Sequence, residues 1–181
     1  MTTDYICDMV AEIKSKYNEG NPFRLAEAMR ILLLREPMGT TPGCCKGFFM
    51  VISSQPVIAV NSDLPPVVQK IIAAHEVGHA VLHRHLLPVM GFHDFELYDA
   101  ASEAEYEANI FAAEFLLDDQ EVIEKLNDDL SFFQAAAALH VPAELLSFKF
   151  RVMKRRGLLV IDSPIVADSR FLKKIPTENR E

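Results

Sequence analysis

The chain has 181 residues, half of them hydrophobic and 24% charged, with a formal net charge of −8 and a pI of about 5.2. That is enough for one globular core with a small helical appendage, and it excludes disordered and fibrous classes. So acidic a chain repels phosphate backbones, which argues against nucleic acid as the main partner, and it holds no run of 18 apolar residues that would cross a membrane.

Met1-Thr2-Thr3-Asp4 lacks the basic-then-apolar order of a signal peptide. Three cysteines, Cys7, Cys44 and Cys45, make an odd count, and the adjacent pair suits no mutual disulfide. Free thiols in a reducing cytoplasm are expected. Apolar groups at helical spacing, from Tyr5 and Ile6 to Ile13 and Tyr17, predict a helix over about 3–17. Asn21-Pro22 reads as an N-cap followed by proline at the first helical position, opening a helix to about Arg30. Ile31 to Leu34 is a short apolar run, read as a strand because Pro37 and Gly39 close it. Residues 48–52 and 57–60 are β-rich and read as a hairpin across Ser53-Ser54-Gln55-Pro56.

The next helix is expected over about 66–86, with Pro88 as its stop, then a loop over 87–101. Ser102 opens a helix over about 103–117, and Asp118-Asp119 another to about Asn127. Helices at about 131–139 and 142–156 follow, the last closed by Gly157, and beyond Asp162 few residues offer to hold the chain down. The predicted fold is α+β, a small, mostly antiparallel sheet packed on helices. Its divisions are a main domain over 1–128, a helix-turn-helix-like region over 129–161 and a tail over 162–181.

His75-Glu76-Val77-Gly78-His79 lies on the predicted helix over 66–86. Residues four apart share a face, so both imidazoles can grip one Zn²⁺ from the same side. Glu76 points in a neighbouring direction, where it can act as general base without ligating the metal. The plainer reading makes them polar residues of an amphipathic helix. However, Ile71, Ile72, Ala73, Ala74, Val77, Ala80, Val81 and Leu82 leave this helix apolar nearly all round. Buried polar groups need partners, and a shared metal supplies them.

A third ligand is needed. His85 lies ten residues beyond His75, but Leu82 stands where a glycine would have to turn the chain back. His83 extends the row of histidines about 12 Å along the axis from His75, which suits an orienting role. Glu105 and Glu107 lie on the following helix, and Asn109 sits one turn after Glu105, placed to orient a ligating histidine. Glu105 is the preferred ligand and Glu107 the alternative. Against Glu105 stands Ser102-Glu103-Ala104-Glu105, which matches a capping box; against Glu107, a solvated helix face.

His75 to His83 and Glu105 to Leu117, with the hairpin before them, resemble the ImmA/IrrE family of zinc-peptidase-like proteins over about residues 20–160. Asp118-Asp119 replace the Met-Pro that commonly follows the second motif. The resemblance implies a cytoplasmic zincin-like metallopeptidase, gluzincin-like in its ligands, that cuts a repressor-type protein and so regulates transcription of a mobile genetic element. It also implies a helix-turn-helix-like region, matched by residues 131–156, where Arg151, Lys154, Arg155 and Arg156 give local positive charge. Helix packing is favoured there over DNA contact. In the expected mechanism Zn²⁺ is held by His75, His79 and Glu105, Glu76 moves the proton, Tyr106 and His93 are candidate oxyanion helpers, and the substrate lies extended along an edge strand near Val57–Asn61. The rival reading is a catalytically silent, metal-containing regulator that binds a transcription factor or DNA.

Overall fold

A computed structural model describes residues 1–84, 98–127 and 130–175. Helix α1 (Thr3–Tyr17) is capped by Thr2, whose hydroxyl accepts from the Tyr5 N–H, and it buries Ile6, Val10 and Ile13 along one stripe. Asn21 caps α2 (Pro22–Ala28). That helix stops short of the expected Arg30, which instead takes a positive φ of 59° and turns the chain into β1 (Leu32–Glu36).

Strands β2 (Gly47–Ile52) and β3 (Gln55–Asn61) form the expected hairpin, with a tighter turn than the sequence suggests. Ser53 and Ser54 alone make it, at φ 49° and 69°. Two consecutive positive φ values are the type I′ geometry, whose twist matches that of the strands. The sheet order is β1-β3-β2. Because β3 returns into the middle, it pairs antiparallel with β2 and parallel with β1. The mostly antiparallel expectation therefore holds for one ladder of the two. The same topology corrects the proposed substrate edge: Val57–Asn61 is the central strand, hydrogen-bonded on both sides, whereas among the described residues β2 has a ladder on one side only.

Helix α3 (Pro66–Leu82) packs on β2, β3 and α4 (Tyr98–Leu116). It closes at Leu82, with the His83 N–H still bonded to the His79 carbonyl at 2.9 Å, so Pro88 is not its stop. Helix α4 starts five residues earlier than Glu103. Ser102 is therefore inside the helix and cannot be its N-cap, which removes the capping-box reading of Glu105. His85 and His93 lie outside the described residues.

Asp118 caps α5 (Asp119–Asn127), accepting from the Gln120 and Glu121 N–H groups. Helix α6 (Phe132–Ala138) carries a complete capping box between Ser131 and Gln134. A turn through His140, at φ 54°, leads to α7 (Ala143–Arg155). This pair has helix-turn-helix form, but α7 is spent on packing: residues 145–150 are all buried, and the helix lies against α4. Its cations are largely neutralised. Lys149, 1% exposed, sits 2.6 Å from both Glu114 and Asp119; Arg156 pairs with the same two acids, Arg155 with Asp4, and Lys154 with Asp162. Phosphate contact would have to break these pairs.

Beyond Asp162 the expectation of few anchors is not met. Ala167, Phe171, Leu172 and Ile175 are buried, the last three in and after the short helix α8 (Phe171–Lys174).

Candidate metal centre

Helix α3 places His75 and His79 one turn apart, and their Nε2 atoms converge to 3.0 Å. From α4, the Glu105 carboxylate meets both, 3.4 Å from His75 Nε2 and 3.3 Å from His79 Nε2. One ligand atom from each of the three residues lies within 4.8 Å of the others. Ligands about 2.0–2.1 Å from a tetrahedral zinc stand about 3.3 Å apart, so the measured edges fit a small cation at the point of convergence. Glu105 is 34% exposed and His79 16%, which leaves that point reachable from solvent.

The supports fix which nitrogen faces it. His83 Nε2 lies 2.8 Å from Glu107 Oε2 and donates to it. The Nδ1 of a neutral His83 is then an acceptor and accepts a hydrogen bond from the His79 Nδ1–H, 3.0 Å away. That leaves the lone pair of His79 on Nε2, where a ligand needs it. Glu107 also accepts from the amino group of Met1. The alternative ligand is thus turned to His83 rather than to the point where His75, His79 and Glu105 meet.

Asn109 is fully buried one turn after Glu105. Its Oδ1 and the Nδ1 of His75 are both buried without a hydrogen-bond partner, and the amide adds to the groups that favour the charged imidazole of His75. Tyr106, by contrast, points away from the centre. Its ring stacks edgewise on Phe148, with the Arg151 guanidinium over it. One residue of helix is a turn of about 100°, and that rotation takes the candidate oxyanion helper onto the face of α4 that packs on α7.

Burial lowers the proton affinity of His75, but the hydrogen bond it donates to Glu105 and the charges of Glu76 and Glu105 outweigh it and raise the pKa. Burial would likewise raise Glu105; hydrogen bonds from His75 and His79, and then their charges, hold it well below the usual carboxylate range. Glu76, 7% exposed, is pushed up by burial, against the pull of His75 and His79. A carboxylate so displaced toward neutrality suits proton transfer.

Sequence reasoning missed Gly47. A Cβ there would lie 2.4 Å from Ile72 Cγ2, 2.9 Å from the Ala59 carbonyl oxygen and 3.5 Å from Glu76 Oε1. The strand thus runs against α3 where Glu76 stands. The available signal was a glycine opening an otherwise β-rich segment, which marks close backbone approach. Gly47→Ala should cost about 1–3 kcal/mol, seen as a fall in thermal midpoint. An unchanged midpoint would show that the strand has room to move.

Residues 26–151 match the model of the IrrE N-terminal-like domain. "Uncharacterized immunity region protein 2" of Bacillus phage phi105 is 31% identical over 141 residues, covering 77% of this chain and 85% of that protein. "Metallopeptidase ImmA" of Bacillus subtilis (strain 168) is 25% identical over 158 residues, covering 82% of this chain and 85% of that protein. The matched span holds all of α3, α4 and the three convergent side chains, and the chain belongs to the ImmA/IrrE family.

Proposed function

We propose that this chain is a zinc-dependent endopeptidase that makes a regulatory cut in a repressor-type protein. The observation that carries the reading is the convergence of His75, His79 and Glu105 beside a buried Glu76. A purely structural zinc would have no use for that carboxylate. The family and its relatives support metallopeptidase chemistry, and the phage relative's immunity-region name supports a repressor as the substrate.

His75 Nε2, His79 Nε2 and a Glu105 oxygen would hold the ion, with His83 and Asn109 orienting the two imidazoles. Zn²⁺ bound there supplies Lewis acidity, lowering the pKa of a coordinated water toward about 7 and polarising the scissile carbonyl. Glu76 takes the proton of the attacking water on a carboxylate oxygen and passes it to the leaving amine. The free side of β2 is where an extended substrate can add its backbone hydrogen bonds, since Gly47 brings that strand to Glu76. No helix among the described residues is long and apolar enough to cross a membrane, in keeping with a cytoplasmic substrate.

Purified, zinc-loaded protein incubated with candidate repressor proteins of mobile genetic elements should cleave one of them, and a chelator should stop the reaction. Cleavage that survives the chelator, or none with zinc supplied, would overturn the proposal. The ligand assignment has its own test. Glu107→Gln acts only through His83 and should weaken zinc binding about 10–100-fold, while Glu105→Gln should weaken it further. The reverse order would move the ligand to Glu107.

A further inference from the structure

Residues 165–175 are held by side chains of the main body that donate to backbone carbonyls. Ser147 Oγ bonds the Ile165 carbonyl at 3.0 Å, Arg151 Nη2 that of Ala167 at 2.8 Å, and Asn109 Nδ2 that of Ser169 at 2.6 Å. Lys46 Nζ spends its three donors on Leu172, Lys173 and Ile175, at 2.6, 3.0 and 2.7 Å. Buried Phe171, stacked at a tilt on Phe148, secures the segment between the last two of these attachments.

Two of the four donor residues adjoin the catalytic machinery. Lys46 precedes Gly47, where β2 meets Glu76. Asn109 lies fully buried one turn after Glu105, whose carboxylate reaches His75 Nε2. A carbonyl acceptor can take only the NH₂ end of an asparagine, so the Ser169 carbonyl decides which way the Asn109 amide lies. Oδ1 is thereby left on the other side of the amide, and both it and the His75 Nδ1 are buried with no hydrogen-bond partner, two polar atoms that one small rotation can pair. An imidazole with its proton on Nδ1 keeps its lone pair on Nε2, the nitrogen that faces His79 and Glu105.

We infer that residues 163–175 form a strap that completes the metal site from outside, fixing the amide of Asn109 and hence the tautomer of His75, while Lys46 ties the strap to the strand beside Glu76. Asn109 and Lys46 are positioning residues: neither reaches the point where His75, His79 and Glu105 converge. The inference rests on the metal-centre reading above, and it adds that metal affinity depends on a segment that contributes no ligand. A partner or a protease that pulled the strap away would weaken the centre without touching it.

The test uses Co²⁺ as the probe, its affinity and visible absorption measured on the full-length protein, with far-UV circular dichroism to verify the fold. Lys46→Met, which removes the three-carbonyl attachment, should lower Co²⁺ affinity by about tenfold or more, the low end of the effect of losing an orienting partner. Lys46→Arg, which can still donate to several carbonyls, should restore most of it. Asn109→Leu should cost about 10–100-fold, and adding Lys46→Met to it should cost little more, because both changes act through one amide. If Lys46→Met fails to fold, the comparison passes to a chain folded intact and then cut at a protease site inserted between Asp162 and Ser163, with the same loss expected. Unchanged affinity in folded Lys46→Met or in the cut chain, or full additivity with Asn109→Leu, would overturn the strap while leaving the metal centre standing. Failure of the parent protein to bind Co²⁺ or Zn²⁺ would overturn both.

Discussion

Glu76→Gln should leave a folded, metal-binding protein whose cleavage of its partner is slower by about 10²–10⁴-fold, the usual worth of a general base. The substitution keeps the size of the side chain and some of its hydrogen bonding, but an amide cannot accept and return the proton. The site tolerates it for a second reason. Burial already pushes Glu76 toward its neutral form, so a neutral side chain of the same shape loses no solvation that the carboxylate enjoyed. Stability should hold or rise slightly, and zinc content should match that of the parent, since His75, His79 and Glu105 are untouched. Single-turnover cleavage and metal content measured on the same preparation separate the outcomes. Near-parental cleavage would remove Glu76 from the mechanism. Loss of metal together with activity would make it a ligand.

The second large effect lies away from the centre. Lys149→Met should destabilise the fold by about 3 kcal/mol, the low end of the cost of breaking a buried ion pair. Lys149 Nζ is 1% exposed and joins α7 to Glu114 of α4 and to Asp119 at the start of α5. Removing it leaves two acids facing each other with only Arg156 between them, 3.1 and 2.9 Å away. That remaining cation is why the low end applies. For a chain of this size the thermal midpoint should drop by about 6–12 °C. Lys149→Met combined with Glu114→Leu should regain part of the loss, because replacing both partners with apolar groups leaves less buried charge unpaired. A single variant as stable as the parent would show that the three-element junction contributes nothing to the fold.

How much of this was legible in the sequence depends on how local the signal was. His75 and His79 could be read because a spacing of four on an apolar helix is local geometry. Glu105 could be preferred over Glu107 because Asn109 stands one turn beyond it, and the structure turns Glu107 to His83 instead. Asn21 and Asp118, read from the chain as helix starts, cap where their side-chain chemistry puts them. Ser102 shows the limit: it has the residue type and spacing of a cap, yet α4 runs through it from Tyr98.

What the sequence hid was non-local. A hairpin leaves open which of its strands pairs with a third, and β3 proved central through its parallel ladder with β1. Tyr106 adjoins a site residue in sequence and faces away from it in space. Lys46 looks like any surface lysine, because donation to three carbonyls some 126–129 residues away leaves no mark on the sequence around it. The buried apolar residues of 167–175 are too sparse to show a helical or strand period, so their anchoring depends on partners that α4, α7 and β2 supply.

The central claim is that His75, His79 and Glu105 hold one zinc ion beside Glu76. Anomalous diffraction at the zinc edge, on crystals of the zinc-loaded protein, tests it most directly. The account predicts a single strong peak about 2.0–2.2 Å from His75 Nε2, His79 Nε2 and a Glu105 oxygen, with Glu76 outside bonding distance. A peak on His83 and Glu107, or no peak at full zinc occupancy of the crystallisation solution, would contradict it.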